Sequence, residues 1–228
     1  MSDPDIYNID GYGSHSLVRK MKNILGFICD EFVYGGHLIA CATSALAFSA
    51  MILFEVYLRW EFLLIIYLGT LCIYNYDHYR ELGNDSLNNF KRVYHLKKYK
   101  SLRRIFLIIY GGGYFVLLFY FGNFASNIFG SSLLLVALFY TEKGKKLTKS
   151  FIGVKNFYTA FIFAMSIIFT AFYCSYQLNL LVFTFSLIVF LNVFIDTSFC
   201  DIKDIESDRK QGLLTLPIYL GKRRFLFL

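Results

Sequence analysis

Two groups of acidic residues recur at helical spacing in this chain, with three residues in each group. The first group has steps of four residues and the second has steps of three and four; they are Asp77, Glu81 and Asp85, and Asp201, Asp204 and Asp208. At about 100° per residue, each group forms one stripe along a helix. Like charges stacked in this way repel one another, so each stripe requires a compensating cation.

Two kinds of cation would neutralise these acidic stripes. Neighbouring Lys and Arg side chains in solvated loops would explain a single stripe equally well. Two such stripes favour Mg²⁺, which binds carboxylate oxygens together with substrate phosphates. The pattern therefore predicts two Mg²⁺ ions on either side of a diphosphate, with Arg and Lys side chains binding the remaining phosphate oxygens.

Aromatic residues are abundant, with 26 Phe and 18 Tyr. Most of them are expected to pack between helices or to face lipid. Some would line a cavity, where the faces of the rings stabilise the carbocation that remains when a diphosphate leaves.

The rest of the sequence describes the elements that must carry these residues. Of the 228 residues, 57% are hydrophobic and 17% are charged, whereas soluble domains carry roughly 25% charged residues. This composition excludes a soluble globular protein and an intrinsically disordered one.

Six apolar stretches predict an all-α polytopic membrane bundle of about six helices. They are His37–Tyr57, Phe62–Tyr76, Ile105–Phe121, Phe124–Tyr140, Phe157–Cys174 and Leu178–Ile195.

The basic residues alternate between the predicted loops. Of the 23 Lys and Arg residues, 22 lie in the N-terminal segment, in the loops after the second and fourth spans, or in the tail; Arg59 is the exception. The positive-inside rule then predicts a plasma or inner membrane protein with both termini and both acidic stripes in the cytoplasm. The same rule, with attraction to anionic lipid, accounts for the net charge of +7 without a nucleic acid partner.

Two further features concern the chain's organisation. Residues 1–36 are expected to form a cytoplasmic or interfacial segment, with an amphipathic helix over Ser16–Tyr34, and residues 37–228 to form the membrane domain. The five cysteines include no CxxC pair. They are therefore predicted to be small buried side chains, with no zinc site and no disulfide framework.

The second acidic stripe and the residues after it resemble the second aspartate motif of the UbiA family of membrane prenyltransferases. The matching features are the aspartate spacing, Asp208-Arg209, Gly212, Thr215-Leu216-Pro217 and Gly221-Lys222. The first motif is looser, since the family pattern NxxxDxxxD stands here as Asn75, Asp77, Glu81 and Asp85. The loop after the fourth span is also similar, with Tyr140, Lys145-Lys146 and Lys155-Asn156.

The resemblance implies a helical bundle with a central cavity open toward lipid. It also implies Mg²⁺-dependent transfer of a prenyl group from an isoprenyl diphosphate, usually to a small aromatic acceptor. Carried across, Asp77, Glu81 and Asp85 would bind one metal ion, and Asp201, Asp204 and Asp208 the other. Within these sets, Asp77 and Asp204 are the expected catalytic residues.

The remaining candidates are substrate-binding residues. The resemblance suggests Arg92, Lys155 and Arg209 for contact with the diphosphate, and Asn75 for orienting the first motif. Asn192 and Asp196 lie at the end of the sixth span, where polar side chains are functional candidates. Capping of a neighbouring helix explains Asn192 equally well.

One departure from the family leaves the activity open. The family fold has nine spans, with three after the second motif, whereas this sequence ends where a seventh would begin. A truncated chain, an oligomer or partner that completes the bundle, and an inactive member are all compatible with this. The alternative function is therefore a non-catalytic relative that binds prenyl diphosphate or a partner without turnover.

Two other classes of membrane protein fit less well. The CDP-alcohol phosphotransferases carry one DG…AR…G…D…D motif, and no Asp-Gly followed by Ala-Arg occurs here. Transporters place ionisable residues at the membrane midplane. Here Glu55 and Asp196 both lie near the ends of predicted spans.

Overall fold

The computed structural model describes residues 10–81 and 90–225, and this part of the chain is all-helical. Its α-helices are α1 (Asp10–Tyr34), α2 (His37–Leu53), α3 (Trp60–Glu81), α4 (Phe90–Lys98), α5 (Lys100–Phe121), α6 (Phe124–Lys143), α7 (Val154–Tyr173), α8 (Leu180–Gln211), α9 (Leu216–Leu220) and α10 (Lys222–Phe225). A 3₁₀ helix over Gly144–Lys149 follows α6.

A helix occurs at each of the six predicted spans, but fewer of them meet the requirements for crossing a membrane. Within residues 10–81 and 90–225, four helices, α5, α6, α7 and α8, are long and apolar enough, and a fifth span results if Met21–Tyr34 and His37–Leu53 are one bent span. Helix α3 is not among them, because Glu61 near its start and Asp77, Arg80 and Glu81 at its end interrupt its apolar stretch. Four or five candidate spans among the described residues agree with the predicted polytopic all-α membrane bundle.

The observed helix ends differ from the predicted ends mainly where a helix continues from apolar into polar sequence. The predicted break at Gly122-Asn123 is confirmed, since α5 ends at Phe121 and α6 begins at Phe124. Helix α8 runs 16 residues beyond the predicted end at Ile195. At 1.5 Å per residue it is about 48 Å long, longer than the ~30 Å hydrocarbon core, so its polar end extends past the membrane.

Two hydrophobic clusters hold the bundle together. The first contains Ala47, Phe62, Tyr114 and Phe169, from α2, α3, α5 and α7. The second contains Ala50 and neighbours from α7 and α8. Helices α2 and α7 both contribute to the two clusters, so these two helices join the halves of the bundle.

The N-terminal helix α1 is bent by 56° relative to α2. The bend lies at Gly35-Gly36, where Gly36 has φ of 95°, a conformation that favours glycine. A helix is present over the predicted range Ser16–Tyr34, and it begins earlier, at Asp10. Glu31 of this helix is 7% exposed, so α1 contacts the bundle as well as its surroundings.

Candidate functional site

A cavity of about 850 Å³ opens between α3, α6, α7 and α8, and its volume lies in the range of small-molecule sites. Helices α2 and α4 and the loops after α6 and α8 complete its wall. The lining residues used below are Thr43, Thr70, Ile73, Tyr74, Asp77, Arg80, Arg92, Ala137, Tyr140, Thr141, Glu142, Lys149, Lys155, Tyr158, Ile162, Phe163, Lys203, Asp204, Ser207, Asp208 and Lys210.

The wall formed by α3 is one helical stripe. Thr70, Ile73, Asp77 and Arg80 follow one another at steps of three or four residues and all line the cavity. This spacing places their side chains on one face of the helix. The stripe is apolar and hydroxylic deeper in the bundle and charged at its end, so the cavity has an apolar part and a charged mouth.

On α8, the residues that line the cavity lie in the part of the helix after Ile195, beyond the predicted span. Asp204, Ser207 and Asp208 line the cavity there, and Ser207 and Asp208 are buried. The helix ends at Gly212, whose φ of 71° is the left-handed conformation of a helix C-cap. Both acidic motifs thus contribute a side chain to the same cavity, Asp77 from α3 and Asp204 and Asp208 from α8.

Lys155, near the start of α7, is fixed by two acidic residues of α8. Its Nζ donates a hydrogen bond of 2.9 Å to Asp201 Oδ1 and lies 3.7 Å from Asp208 Oδ2. Asn156 Nδ2 donates to the other Asp201 oxygen at 2.9 Å. Because the two carboxylates are almost fully buried, they require this positive charge.

Backbone hydrogen bonds bring the start of α7 to the end of α8. Leu214 N donates to Thr148 O, and Gly153 N donates to Leu214 O, both at 3.0 Å. The segment after α8 is therefore tied to the loop before α7. Thr215 and Pro217, from the motif that suggested the family, are buried in this junction.

An ion pair crosses the cavity mouth from α3 to α6. Arg80 Nη2 donates to Glu142 Oε2 at 3.0 Å, and Tyr76 OH donates to Glu142 Oε1. The Arg80 and Glu142 side chains are 50% and 37% exposed. An exposed ion pair contributes little to stability. An anionic ligand would therefore replace Glu142 as the partner of Arg80 at a small cost in free energy.

Acidic and basic side chains both lie at the mouth, and this mixture favours an anionic ligand that binds together with a cation. The lining side chains include four acids and six bases, the bases being Arg80, Arg92, Lys149, Lys155, Lys203 and Lys210. Aromatic rings continue from this charged end into the bundle. Tyr140 and Tyr158 are stacked, with ring centroids 3.6 Å apart, and Phe163 lies on the apolar wall with Ile73, Ala137 and Ile162.

Several predicted site residues do not line this cavity. Asp201 holds Lys155 and Asn156 instead, and Arg209 is exposed on α8. Asn75 is fully buried on the opposite side of α3, where its Nδ2 donates to Arg103 O. Asn192 and Asp196 are exposed, and Asn192 Nδ2 donates to Ile188 O of its own helix, so it does not cap a neighbouring helix.

The end of the first acidic stripe is not described. Glu81 is the last residue of α3, and its side chain lies outside the described part of the structure, as does all of Asp85. For these two predicted metal ligands the prediction stands as made from the sequence. Asp77, Arg92, Lys155, Asp204 and Asp208 are the predicted residues that the structure brings together.

The residues around the cavity fit Mg²⁺ bound jointly with a phosphate ligand. Among the described residues, no three His, Cys, Asp or Glu side chains are grouped closely enough to hold a metal alone. However, Asp208 Oδ2 is buried and accepts no hydrogen bond from the described residues. A carboxylate oxygen in this position, with Asp77 and Asp204 on the same cavity, suits a cation held by one or two carboxylates and substrate phosphates.

Other cavity residues were not candidates from the sequence. Arg80 follows Asp77 by three residues, so helical spacing alone could have placed it on the same face. The lysines Lys149, Lys203 and Lys210 carry no such signal, because they lie in basic segments of the sequence whose charge the positive-inside rule already explains. Glu142 and Tyr158 come from the consecutive helices α6 and α7, and that both line the cavity depends on how these helices pack.

A model of the UbiA prenyltransferase family matches residues 38–228, which include both acidic stripes and every helix from α2 onward. This match confirms the resemblance based on the motifs. Searches of the curated proteins and of the solved structures found no match. Helix α1 lies outside the matched region.

Proposed function

This chain belongs to the UbiA prenyltransferase family, and we propose that it transfers a prenyl group from an isoprenyl diphosphate to a small aromatic acceptor within the membrane, in a Mg²⁺-dependent reaction. The observation that carries the proposal is the shared cavity: Asp77 of the first motif and Asp204 and Asp208 of the second line one space. That space is charged at one end and apolar at the other, as an amphiphilic prenyl diphosphate requires.

The charged mouth would bind the diphosphate. Arg92, Lys155 and Arg80 would donate hydrogen bonds to its oxygens, and the apolar wall with Ile162 and Phe163 would hold the prenyl chain. Asp77, Asp204 and Asp208 would hold Mg²⁺. When bound, Mg²⁺ neutralises charge on the diphosphate and makes it a better leaving group.

The chemistry follows from this binding mode. The bond between the allylic carbon and the diphosphate oxygen breaks, and its electron pair leaves with the diphosphate. Tyr74, Tyr140 and Tyr158 would face the cation with their rings and exclude water from it. An electron-rich acceptor then forms the new bond to the allylic carbon and loses a proton.

The proposal is tested with a transfer assay on the full chain in detergent. Labelled geranylgeranyl diphosphate would be offered with a panel of hydroxybenzoate and naphthoate acceptors, with Mg²⁺ or with EDTA. Asp77→Asn and Asp204→Asn are each expected to lower turnover at least about 100-fold, while Glu206→Gln, on an exposed position of α8, should leave it unchanged.

Two outcomes decide between the proposed reaction and its alternative. Prenylated product that disappears in EDTA and in both Asp variants supports the transferase. Mg²⁺-dependent binding of the diphosphate without product from any acceptor would favour the non-catalytic binding protein instead. Unchanged turnover in both Asp variants would contradict the assignment of the cavity.

A further inference from the structure

A buried ion pair joins α1 to α5 behind the cavity. The Arg103 side chain is 1% exposed, and its guanidinium donates to both carboxylate oxygens of Glu31, at 2.8 Å and 2.5 Å. This is the bidentate geometry of a strong charge-assisted pair. Glu31 lies before residue 38, where the family match begins, so this pair includes a residue outside the matched region.

The same carboxylate also holds α4. His95 Nε2 lies 2.9 Å from Glu31 Oε2, and His95 is 4% exposed. Two aromatic residues of α1 pack against its ring, Phe27 at 5.8 Å and Tyr34 at 6.1 Å between centroids. Helix α4 is therefore fixed to α1 by one hydrogen bond and by aromatic packing.

Helix α3 is held by the other partner of the pair. Arg103 Nη1 lies 3.3 Å from Asn75 Oδ1, and Asn75 Nδ2 donates to Arg103 O at 2.8 Å. Asn75 precedes Asp77 by two residues, which places the two side chains about 200° apart around α3. One face of α3 thus contacts this pair while the opposite face lines the cavity.

These contacts meet directly behind two residues of the proposed site. His95 is one helical turn after Arg92 on α4, and Asn75 is two residues before Asp77 on α3. We propose that Glu31, through Arg103 and His95, is a positioning residue that holds α3 and α4 so that Asp77 and Arg92 face the diphosphate. This inference rests on the proposed function and adds a role for α1.

Energetics favour positioning over stabilisation. Desolvation offsets most of the attraction in a buried ion pair, and apolar residues of similar volume often replace such a pair without loss of stability. What apolar replacements cannot reproduce is the directional hydrogen bonding to Asn75 and His95. Fixing the relative positions of helices is the best-supported role of such buried polar groups.

The first test compares two isosteric variants of the full chain. Glu31→Gln removes the charge from the pair, and Asp30→Asn makes the same change at an exposed neighbouring position. We expect Glu31→Gln to accelerate amide hydrogen exchange in α4 and at the end of α3, and to raise KM for geranylgeranyl diphosphate about 10- to 100-fold. Asp30→Asn should change neither. Equal exchange in the two variants would overturn the proposal.

The second test separates positioning from stability. The double variant Glu31→Leu/Arg103→Met replaces the pair with apolar side chains. We expect the melting temperature in detergent to stay close to that of the wild type while KM remains raised. A double variant that regains both the melting temperature and KM would show that the pair is merely structural. If the double variant does not fold, Glu31→Gln decides the question.

The outcome is distinguishable from a failure of the proposed function. A wild-type chain that neither binds nor transfers a prenyl group contradicts the proposed function. Hydrogen exchange needs no ligand, so it still shows whether Glu31 holds α3 and α4 in place.

Discussion

Lys155 links helix α7 to helix α8 at the candidate site. It lies at the start of α7, and its Nζ contacts Asp201 and Asp208 of α8. Asp208 also lines the cavity, whereas Asp201 lies behind it and bonds to Asn156. In the proposed site the two acids of one motif would therefore have different roles: Asp208 would face the ligand, and Asp201 would hold the lysine that binds it.

This difference predicts different effects of two matched substitutions. Asp201→Asn keeps the hydrogen bond to Asn156 but weakens the hold on Lys155, so kcat/KM should fall about tenfold, as for residues that orient a ligand. Asp204→Asn removes a cavity carboxylate and should cost at least about 100-fold. Steady-state kinetics in detergent measure both, and equal losses would contradict the positioning role of Asp201.

The spacing of the acidic residues predicted the two stripes, but not the direction in which each side chain points. Spacing places Asp201, Asp204 and Asp208 within about 60° around α8. Which edge of that stripe faces α7 and which faces the cavity depends on how the helices pack. For the same reason, nothing in the sequence indicated that Glu31 would meet Arg103, 72 residues later.

Close packing of α3 against α5 is what places the charged face of α3 beside the cavity. Gly69 lies against the Tyr114 ring, and a Cβ added at this position would come within 2.8 Å of it. Tyr114 is 3% exposed and belongs to the larger hydrophobic cluster, so it has little room to move. Small residues allow helices to approach in this way within membranes.

Two glycine substitutions test this contact. Gly69→Ala should destabilise the protein by about 1–3 kcal/mol through overpacking against Tyr114. Gly112→Ala, where no atom lies within 4 Å of an added Cβ, should be neutral or slightly stabilising, because Ala favours the helix by up to about 1 kcal/mol. Thermal unfolding in detergent compares them, and equal melting temperatures would contradict the packing described here.

The positions of the helices could largely be predicted where the hydropathy of the sequence changes sharply. The apolar run from Ile105 to Tyr140 is too long for one span, and Gly122-Asn123 supplied the break. Composition failed where a helix continues into polar sequence, as α8 does beyond Ile195. Capping at Gly212 and packing on α7 end that helix, and hydropathy detects neither.

At the scale of the whole molecule, the cavity mouth and the basic loops lie at the same end of the bundle. The loops after α6 and α8 meet there through Thr148, Gly153 and Leu214. The turn after α2, with Tyr57, lies at the opposite end. The positive-inside rule would place the cavity mouth in the cytoplasm.

The orientation is tested by labelling single cysteines in a chain whose five native cysteines are replaced by alanine. Ser150→Cys lies in the loop after α6, and Tyr57→Cys lies in the turn after α2, where Tyr57 is 92% exposed. A membrane-impermeant maleimide should label Tyr57→Cys in intact cells and Ser150→Cys only after permeabilisation. The reverse pattern would contradict the cytoplasmic placement.

The central claim is that the two acidic motifs form one Mg²⁺-dependent binding site for a prenyl diphosphate. The measurement that tests it most directly is equilibrium binding of geranylgeranyl diphosphate to the purified full chain, with Mg²⁺ and then with EDTA, for the wild type, Asp204→Asn and Glu206→Gln. We predict micromolar binding by the wild type and Glu206→Gln that EDTA removes, and weak binding by Asp204→Asn in both conditions. Binding that survives both EDTA and Asp204→Asn, or no binding by the wild type at all, would contradict the claim.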